Sequence, residues 1–236
     1  MKITVLIPAA GLGIRMGGAV RKPFLLLAGR PILTHAIASF EGFDAVAETI
    51  PIVAAEEAED CLARVVEPYG LKKVRRVLIG GKERYDSVRV GLEAAEKPSQ
   101  FVIVHDGVRP IVPAELIQTL LKEVKPALGI VVGVPIKETV KAVAKDGHVE
   151  ETLDRRHLWT IQTPQIFGRK MLQEAYDEAY KHRSWGTDDA SLVERVGGRV
   201  KVIQGSYANI KITTPEDLVC AEALLRARRA ASGAGA

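Results

Sequence analysis

Two fixed cations stand in one small-residue loop near the start of the chain. Arg15 lies within Pro8-Ala9-Ala10-Gly11-Leu12-Gly13-Ile14-Arg15-Met16-Gly17, and Lys22-Pro23 closes the stretch. Alanine and glycine let a backbone approach a ligand closely and turn its N–H groups towards an anion. Such a loop with two positive charges suits a polyphosphate. A plain tight turn is the alternative, and the loop alone leaves both open. Two other nucleotide loops fail on spacing. The dinucleotide fingerprint needs glycine three positions after Gly13, where Met16 stands. The phosphate loop ending in G-K-[ST] is absent.

Three more segments carry usable chemistry. In His105-Asp106-Gly107-Val108-Arg109-Pro110, Asp106 suits a metal ion or a substrate hydroxyl, and Arg109 suits a phosphate. A turn aspartate paired with its neighbour is the competing account, and His105 reads as packed or hydrogen-bonded. In Gly80-Gly81-Lys82-Glu83-Arg84, with Ser87 beyond, the glycines permit close approach to a base or ribose. Ser87 falls on the first turn of the next helix, within reach of a base edge, although an ordinary helix entry would look the same. Lys211 alternates with Ile210 and Ile212 and so faces away from them. Lys211, Arg155 and Arg156 are, taken singly, solvated cations. No nucleophile–base pair stands out. That absence fits a reaction whose attacker is already charged, since a phosphate monoester loses its second proton at about pH 6. Positioning, charge neutralisation and a divalent metal on the polyphosphate then suffice.

These residues need elements to hold them. Ile3 to Ile7 reads as a buried strand, ended by Pro8, which has no N–H to donate. Strands are expected again at Ile50 to Ala54, Val74 to Ile79, Phe101 to Val104 and Gly129 to Val134. Helices alternate with them at Leu33 to Phe40, Glu56 to Glu67 (ended by Pro68), Arg84 to Ala95 and Pro113 to Val124. This rhythm predicts a mainly parallel sheet with helices on both faces. Ligands of such sheets sit outside the carboxyl ends of strands. That rule alone sends the first loop, Gly80-Gly81 and Asp106 to one crevice.

After Pro135 the rhythm changes. Thr139 to Lys145 and His148 to Leu153 flank Asp146-Gly147, a pair that hairpin turns favour. Being marginal alone, the hairpin must lie on its own core or on a second subunit. The run Trp159 to Gln165 precedes a helix from Arg169 to His182. Thr187 reads as an N-cap with Asp188 and Asp189 in the first turn. Val200 to Ile203 and Asn209 to Ile212 read as late strands, and Thr214-Pro215-Glu216-Asp217 opens the last helix.

The chain has 236 residues, 47% of them hydrophobic, enough for one large α/β domain. A net charge of +4 is spread along the sequence, so anionic small molecules fit as well as nucleic acid. Cys61 and Cys220 form no metal or redox motif, which suits a reducing cytoplasm. The N-terminal apolar run is too short for a signal peptide, and no run reaches membrane-spanning length. Asparagine occurs once, at Asn209. That scarcity fits a hot habitat or a coding bias equally well.

Pro8 to Met16 followed by Lys22-Pro23-Phe24 looks like the signature loop of sugar-phosphate nucleotidyltransferases, particularly cytidylyltransferases. With Gly81 to Ser87, His105 to Pro110, Thr139, Asp154-Arg155, Gln162-Thr163-Pro164-Gln165, Thr187 to Ser191 and Asn209 to Thr213, the ordered set resembles one family. It is that of the 2-C-methyl-D-erythritol 4-phosphate cytidylyltransferases of non-mevalonate isoprenoid synthesis, matched from Val5 to about Leu225. The resemblance implies a doubly wound α/β, Rossmann-like nucleotidyltransferase fold with a projecting β-hairpin arm. One domain would span residues 1–229, with the arm at about 136–158 and a disordered tail at 230–236. CTP would bind against Ala9, Ala10, Gly11, Gly13, Gly81, Arg84 and Ser87, with Asp106 in the same site. Arg15 and Lys22 would stabilise the pentavalent α-phosphate and the leaving pyrophosphate. Asp106, Arg109 and Thr187 would line the meeting point of the substrates. Thr139, Arg155 and Lys211 would position methylerythritol phosphate. Mg²⁺ would bridge the CTP phosphates, with Asp106 as a candidate ligand. The arm would embrace a homodimer partner and send Thr139 and Arg155 into its site. The implied setting is cytoplasmic, without nucleic acid or membrane.

The sequence departs from the family in three places. Ala208 stands where many members have aspartate, Lys82 replaces a frequent acid, and Gly107-Val108 replaces a commoner Ala-Ala. Ribitol 5-phosphate cytidylyltransferases share the nucleotide half, but Leu153-Asp154-Arg155 before Trp159 favours methylerythritol phosphate. A non-catalytic nucleotide-binding regulator would keep the glycine loop without needing Arg15, Lys22 and Lys211. A dehydrogenase would need the missing fingerprint.

Overall fold

A strand covered on both faces must be apolar on both, and the first strand shows how that builds two cores. Ile3, Val5 and Ile7 enter one cluster and Leu6 the other, all fully buried. The computed structural model describes residues 1–11, 21–96 and 98–233. Its strands are β1 (Ile3–Pro8), β2 (Leu26–Leu27), β3 (Arg30–Pro31), β4 (Val46–Val53), β5 (Leu78–Ile79), β6 (Phe101–Val104), β7 (Leu128–Pro135), β8 (Lys141–Val143), β9 (Val149–Thr152), β10 (Trp159–Gly168) and β11 (Arg199–Gln204). Its α-helices are α1 (Ile32–Ala38), α2 (Ala58–Cys61), α3 (Arg84–Ala94), α4 (Ala114–Glu123), α5 (Arg169–His182), α6 (Asp189–Arg195) and α7 (Pro215–Gly233).

Seven strands form the central sheet in the order β11-β7-β10-β6-β1-β4-β5. All neighbours pair in parallel except β10, which runs antiparallel to β6 and β7. One core places α1 and α4 against Ile103 of β6 and Ile130 and Val132 of β7. The other places α3, α5 and α6 against Val102 and Val104 of β6 and Val131 of β7. Helices on both faces of a mainly parallel sheet are what the sequence rhythm predicts. Successive strands leave β1 in opposite directions, β4 on one side and β6 on the other. A crevice therefore opens at the carboxyl ends of β1 and β6, at the switch in strand order.

Local expectations differ in instructive ways. Pro8 is the last residue of β1 and does not stop the pairing, because the Ala9 N–H still donates to Ile52 O at 2.7 Å. The strand expected at Val74 to Ile79 shrinks to Leu78–Ile79, where Ile52 and Val53 of β4 pair with it. Glu56 to Glu67 does not form one helix. It is divided between 3₁₀ turns, α2 and a π-helical turn at Leu62–Val66. Pro68 opens a last 3₁₀ turn instead of ending the helix, as proline can at a first turn, and Gly70 at φ 61° provides the stop. Trp159–Gly168 is a full strand whose alternation is hidden by Pro164. Asn209 to Ile212 is not a strand. The Asn209 N–H closes a turn on Ser206 O, and the Ile212 N–H docks on Val108 O.

The hairpin β8–β9 forms, joined through a turn at Asp146-Gly147. The Gly147 N–H donates to Ala144 O and the Ala144 N–H to His148 O, with Gly147 at φ 91°. This is a three-residue loop whose last position needs the left-handed region, so glycine belongs there. Most arm side chains are exposed, Val143 and Val149 included, and none is fully buried. At the other end, α7 continues to Gly233. No helix among the described residues is long and apolar enough to cross a membrane.

Candidate active site

Three strand ends converge on a cavity of about 560 Å³. The exit of β1 contributes Pro8, Ala9, Ala10 and Gly11. The entry to α3 after β5 contributes Lys82, Glu83, Arg84 and Ser87. Asp106 and Val108 follow β6, while Lys22, Pro23 and Lys211 come from loops. Among the described residues four cations thus line the cavity against two carboxylates, which suits a polyanion.

Close backbone approach is visible at Gly80, where β5 ends. An added Cβ would lie 2.5 Å from Ser87 Oγ and 2.6 Å from Ala10 Cβ, so glycine lets the two walls meet. Gly81 is needed for a different reason. A Cβ there would lie 2.3 Å from Asp86 Cβ, in the capping box by which Glu83 and Asp86 start α3. That cap places Arg84 and Ser87 on the first turn facing the cavity.

Asp106 is the electrostatic centre. Its Oδ1 accepts from Arg84 Nε at 3.0 Å, while Oδ2 lies 2.9 Å from Lys211 Nζ and 3.6 Å from Arg109 Nε. Burial alone would raise its pKa, but Arg84, Lys211 and Arg109 outweigh that and hold the carboxyl well below the usual range. Such an acid stays ionised and is a poor proton acceptor. Arg84 also donates from Nη2 to Asp189 Oδ2 at 2.8 Å. Arg109 donates from Nη1 to Asn209 O at 2.8 Å, tying the Lys211 loop beneath Asp106. Asn209 itself is fully buried and donates to Thr163 O, while Thr163 Oγ1 accepts from the Asp106 N–H. The Asn209 to Ile212 segment earns its place through these side-chain bonds without a ladder.

His105 is packed, as expected. Its ring meets Phe40 edge to face, and its nitrogens contact Arg109 O at 3.0 Å and Thr163 Oγ1 at 3.2 Å. Burial pushes its pKa down to about 4. An unfolded histidine binds its proton near pH 6.5, so from about 6.5 down to about 4 the unfolded state takes up more protons. Stability therefore falls as pH drops through that window, by on the order of 3 kcal/mol. Urea titrations from pH 7 to pH 4 should show this decline, and His105→Gln should flatten it. An equal slope in the variant would remove His105 as its cause.

The sequence-derived residues divide into three groups. Ala9, Ala10, Gly11, Lys22, Arg84, Ser87, Asp106 and Lys211 line the cavity, and Arg109 supports Asp106. Thr139, Arg155 and Thr187 are exposed and do not line it, nor does Gly81. Gly13 and Arg15 lie outside the described residues. Thr187 is also not the cap of α6. Asp188 is, its Oδ1 accepting from the Ser191 N–H at 2.9 Å. The sequence reading missed Asp189 as a partner of Arg84. An acid in a first turn usually faces solvent, whereas this one is fully buried. Its only sequence signal is its neighbour, which already supplies the cap.

The family model for 2-C-methyl-D-erythritol 4-phosphate cytidylyltransferase matches residues 3–227. A relative of that name from Alkaliphilus metalliredigens is 44% identical over 97% of this chain and 95% of its own. Another, from Syntrophotalea carbinolica, is 46% identical over 95% and 97% respectively. Among solved structures, the 4-diphosphocytidyl-2C-methyl-D-erythritol synthase of Anaerococcus prevotii superposes with a TM-score of 0.84 at 31% identity. That match covers 95% of this chain and 96% of the other.

Proposed function

This chain belongs to the 2-C-methyl-D-erythritol 4-phosphate cytidylyltransferase family, and from that premise we infer how its cavity performs the reaction. The enzyme transfers a cytidylyl group from CTP to 2-C-methyl-D-erythritol 4-phosphate, giving 4-diphosphocytidyl-2-C-methyl-D-erythritol and pyrophosphate. The observation that carries the site assignment is the meeting of Lys22, Arg84, Asp106 and Lys211 around one cavity at three strand ends.

CTP lies with its base between the Ala9-Ala10-Gly11 backbone and the Gly80-Gly81 turn, where Ser87 reads the base edge. Arg84 and Asp106 complete the nucleotide site. A phosphate oxygen of the second substrate attacks the α-phosphorus of CTP. The bond from that phosphorus to the bridging oxygen breaks, and pyrophosphate leaves with the electron pair. No proton need move, consistent with a cavity lined by no histidine or cysteine among the described residues and with an Asp106 held ionised. Lys22, and Arg15 on sequence grounds, neutralise the charge that builds on the α-phosphate and the leaving group. Lys211 holds the incoming phosphate, and Arg109 braces Asp106 and the Lys211 loop from beneath.

The donor set fits a divalent ion carried by the nucleotide. No group of three or more His, Cys, Asp or Glu side chains gathers among the described residues, and both oxygens of Asp106 face cations. Mg²⁺, which readily binds through substrate phosphates and water, would be held mainly by CTP, with Asp106 joining it only by giving up one of its present cation contacts. When bound, the ion supplies charge neutralisation on the polyphosphate.

The arm is assigned to a second copy of the chain. A two-stranded hairpin with exposed valines is marginal alone. Trp159, Ile161, Val202 and Tyr207 add exposed apolar surface on and beside the strands from which it springs. In that homodimer Thr139 and Arg155 serve the partner's site. A cytoplasmic setting is assigned with it, in keeping with two free cysteines.

Pyrophosphate release tests the assignment. CTP with methylerythritol phosphate should turn over, while ATP in place of CTP, or ribitol 5-phosphate as acceptor, should be poor. Equal turnover with ATP would remove the cytidylyl assignment.

A further inference from the structure

Asp189 meets Arg84 yet does not line the cavity, and it is fully buried. Both of its oxygens are taken: Tyr176 OH donates to Oδ1 at 2.6 Å, and Arg84 Nη2 donates to Oδ2 at 2.8 Å. We propose that Asp189 and Tyr176 are positioning residues that fix the orientation in which Arg84 meets the nucleotide. The inference rests on the assignment of this cavity to CTP.

The backbone beneath Asp189 is pinned independently of Arg84. Asp188 caps α6, Gln165 of β10 donates to Asp188 Oδ2 at 2.8 Å, and the Ala190 N–H donates to Gln165 Oε1 at 3.2 Å. The carboxylate is therefore presented from a braced turn, and Tyr176 of α5, itself 1% exposed, sets its rotation. Arg84 is then held at two atoms of its plane, Nε by Asp106 and Nη2 by Asp189. Among the described residues no acceptor engages Nη1, and the side chain remains 31% exposed where it lines the cavity. A guanidinium held at Nε and Nη2 by two separate carboxylates presents its Nη1 donors in a fixed direction.

Charge neutralisation alone does not account for this arrangement. Asp106 already stands beside Arg84, and burying a second carboxylate carries a desolvation cost that a purely stabilising pair often fails to repay. Asp106 is, however, shared with Lys211 and Arg109. With Asp106 alone, Arg84 would be held by one contact and could swing about it. Burial would lower the pKa of Arg84, but Asp189 first and Asp106 second outweigh it, so the guanidinium stays charged. Asp189 supplies the second point that a fixed orientation requires.

The test compares steady-state kinetics of the full-length wild type, Asp189→Asn, Tyr176→Phe, Arg84→Ala and the Arg84→Ala/Asp189→Asn pair. Asp189→Asn should raise KM for CTP about 10-fold, the loss of one charged hydrogen bond. Its kcat and its KM for methylerythritol phosphate should stay within about two-fold. Tyr176→Phe should raise KM for CTP about three-fold, as for a lost neutral donor. In the Arg84→Ala background Asp189→Asn should add nothing, because the residue it positions is gone. A merely structural role would lower the active fraction, and so kcat, with KM for CTP unmoved. That result, a lowered KM from the extra positive charge, or independent effects of Arg84→Ala and Asp189→Asn would each overturn the proposal. If Asp189→Asn does not fold, Tyr176→Phe decides by the same split. A wild type that releases no pyrophosphate from CTP would overturn the site assignment and this inference together. An active wild type with an unmoved KM in the variants overturns the inference alone.

Discussion

Lys22→Ala is expected to lower kcat by about 10²–10³ with little change in KM for CTP, the usual cost of removing one preorganised transition-state donor. The lysine is only 9% exposed, although it lines the cavity. It opens a 3₁₀ turn, Lys22–Phe24, in which Pro23 fixes the backbone. Its Nζ donates to Thr213 O at 3.3 Å, two residues beyond Lys211. The charge is thus placed before substrate arrives and needs little reorganisation as the leaving pyrophosphate gains charge. In such a partly desolvated position it should matter more to the transition state than to the ground state. Single-turnover rates at saturating CTP measure this directly. A variant with the wild-type rate would remove Lys22 from the chemical step. Arg15→Ala carries the same expectation on sequence grounds.

Arg155→Ala should nearly abolish turnover in the pure variant, and mixing it with Lys22→Ala should restore about a quarter of wild-type activity. The side chain is exposed, donates to Lys137 O and does not line its own chain's cavity. It lies at the base of the arm, just after β9, and the arm's exposed surface calls for a partner. In a two-fold dimer each arm would carry Arg155 to the other subunit's site. After random exchange half the dimers are mixed. In these, the chain lacking Arg155 keeps Lys22 and receives Arg155 from its neighbour, so one site of two is intact. If Arg155 served its own chain, every site would keep a lesion and mixing would restore nothing. Exchange is checked separately with differently tagged chains, so that silence can be read. No recovery after proven exchange would contradict the shared site.

Much of the cavity's lining was legible in the sequence because strand ends advertise themselves. Ile3 to Ile7, apolar but for Thr4, and Phe101 to Val104 are runs that end in small or charged residues, and the α/β rhythm sends such ends to one edge. The alternation of Lys211 with Ile210 and Ile212 was also legible. Ile212 is buried and Lys211 faces the cavity. That pattern does not reveal the backbone, which is held by turns and by the side chain of Asn209. Strand pairing is hidden for similar reasons. Val74 to Ile79 has a strand-like composition, but only two of its residues meet a partner at the sheet edge. Pro164 conceals the continuity of Trp159–Gly168. Asp189 is the clearest limit. Nothing local distinguishes it from a surface acid of a first turn, since its partner Arg84 lies 105 residues earlier. A buried carboxylate becomes visible only when tertiary packing brings its cation.

Attack on CTP by the second substrate's own phosphate, without a covalent enzyme intermediate, can be read from where that phosphate's oxygens go. The most direct test supplies methylerythritol phosphate with ¹⁸O in its phosphate, adds CTP and Mg²⁺, and follows turnover by ³¹P NMR. Direct attack gives a diphosphate-linked product that keeps the label at the methylerythritol phosphorus and in the bridge, together with unlabelled pyrophosphate. It gives no exchange of free pyrophosphate into CTP when the polyol phosphate is left out. Such exchange, or label appearing in pyrophosphate, would contradict it.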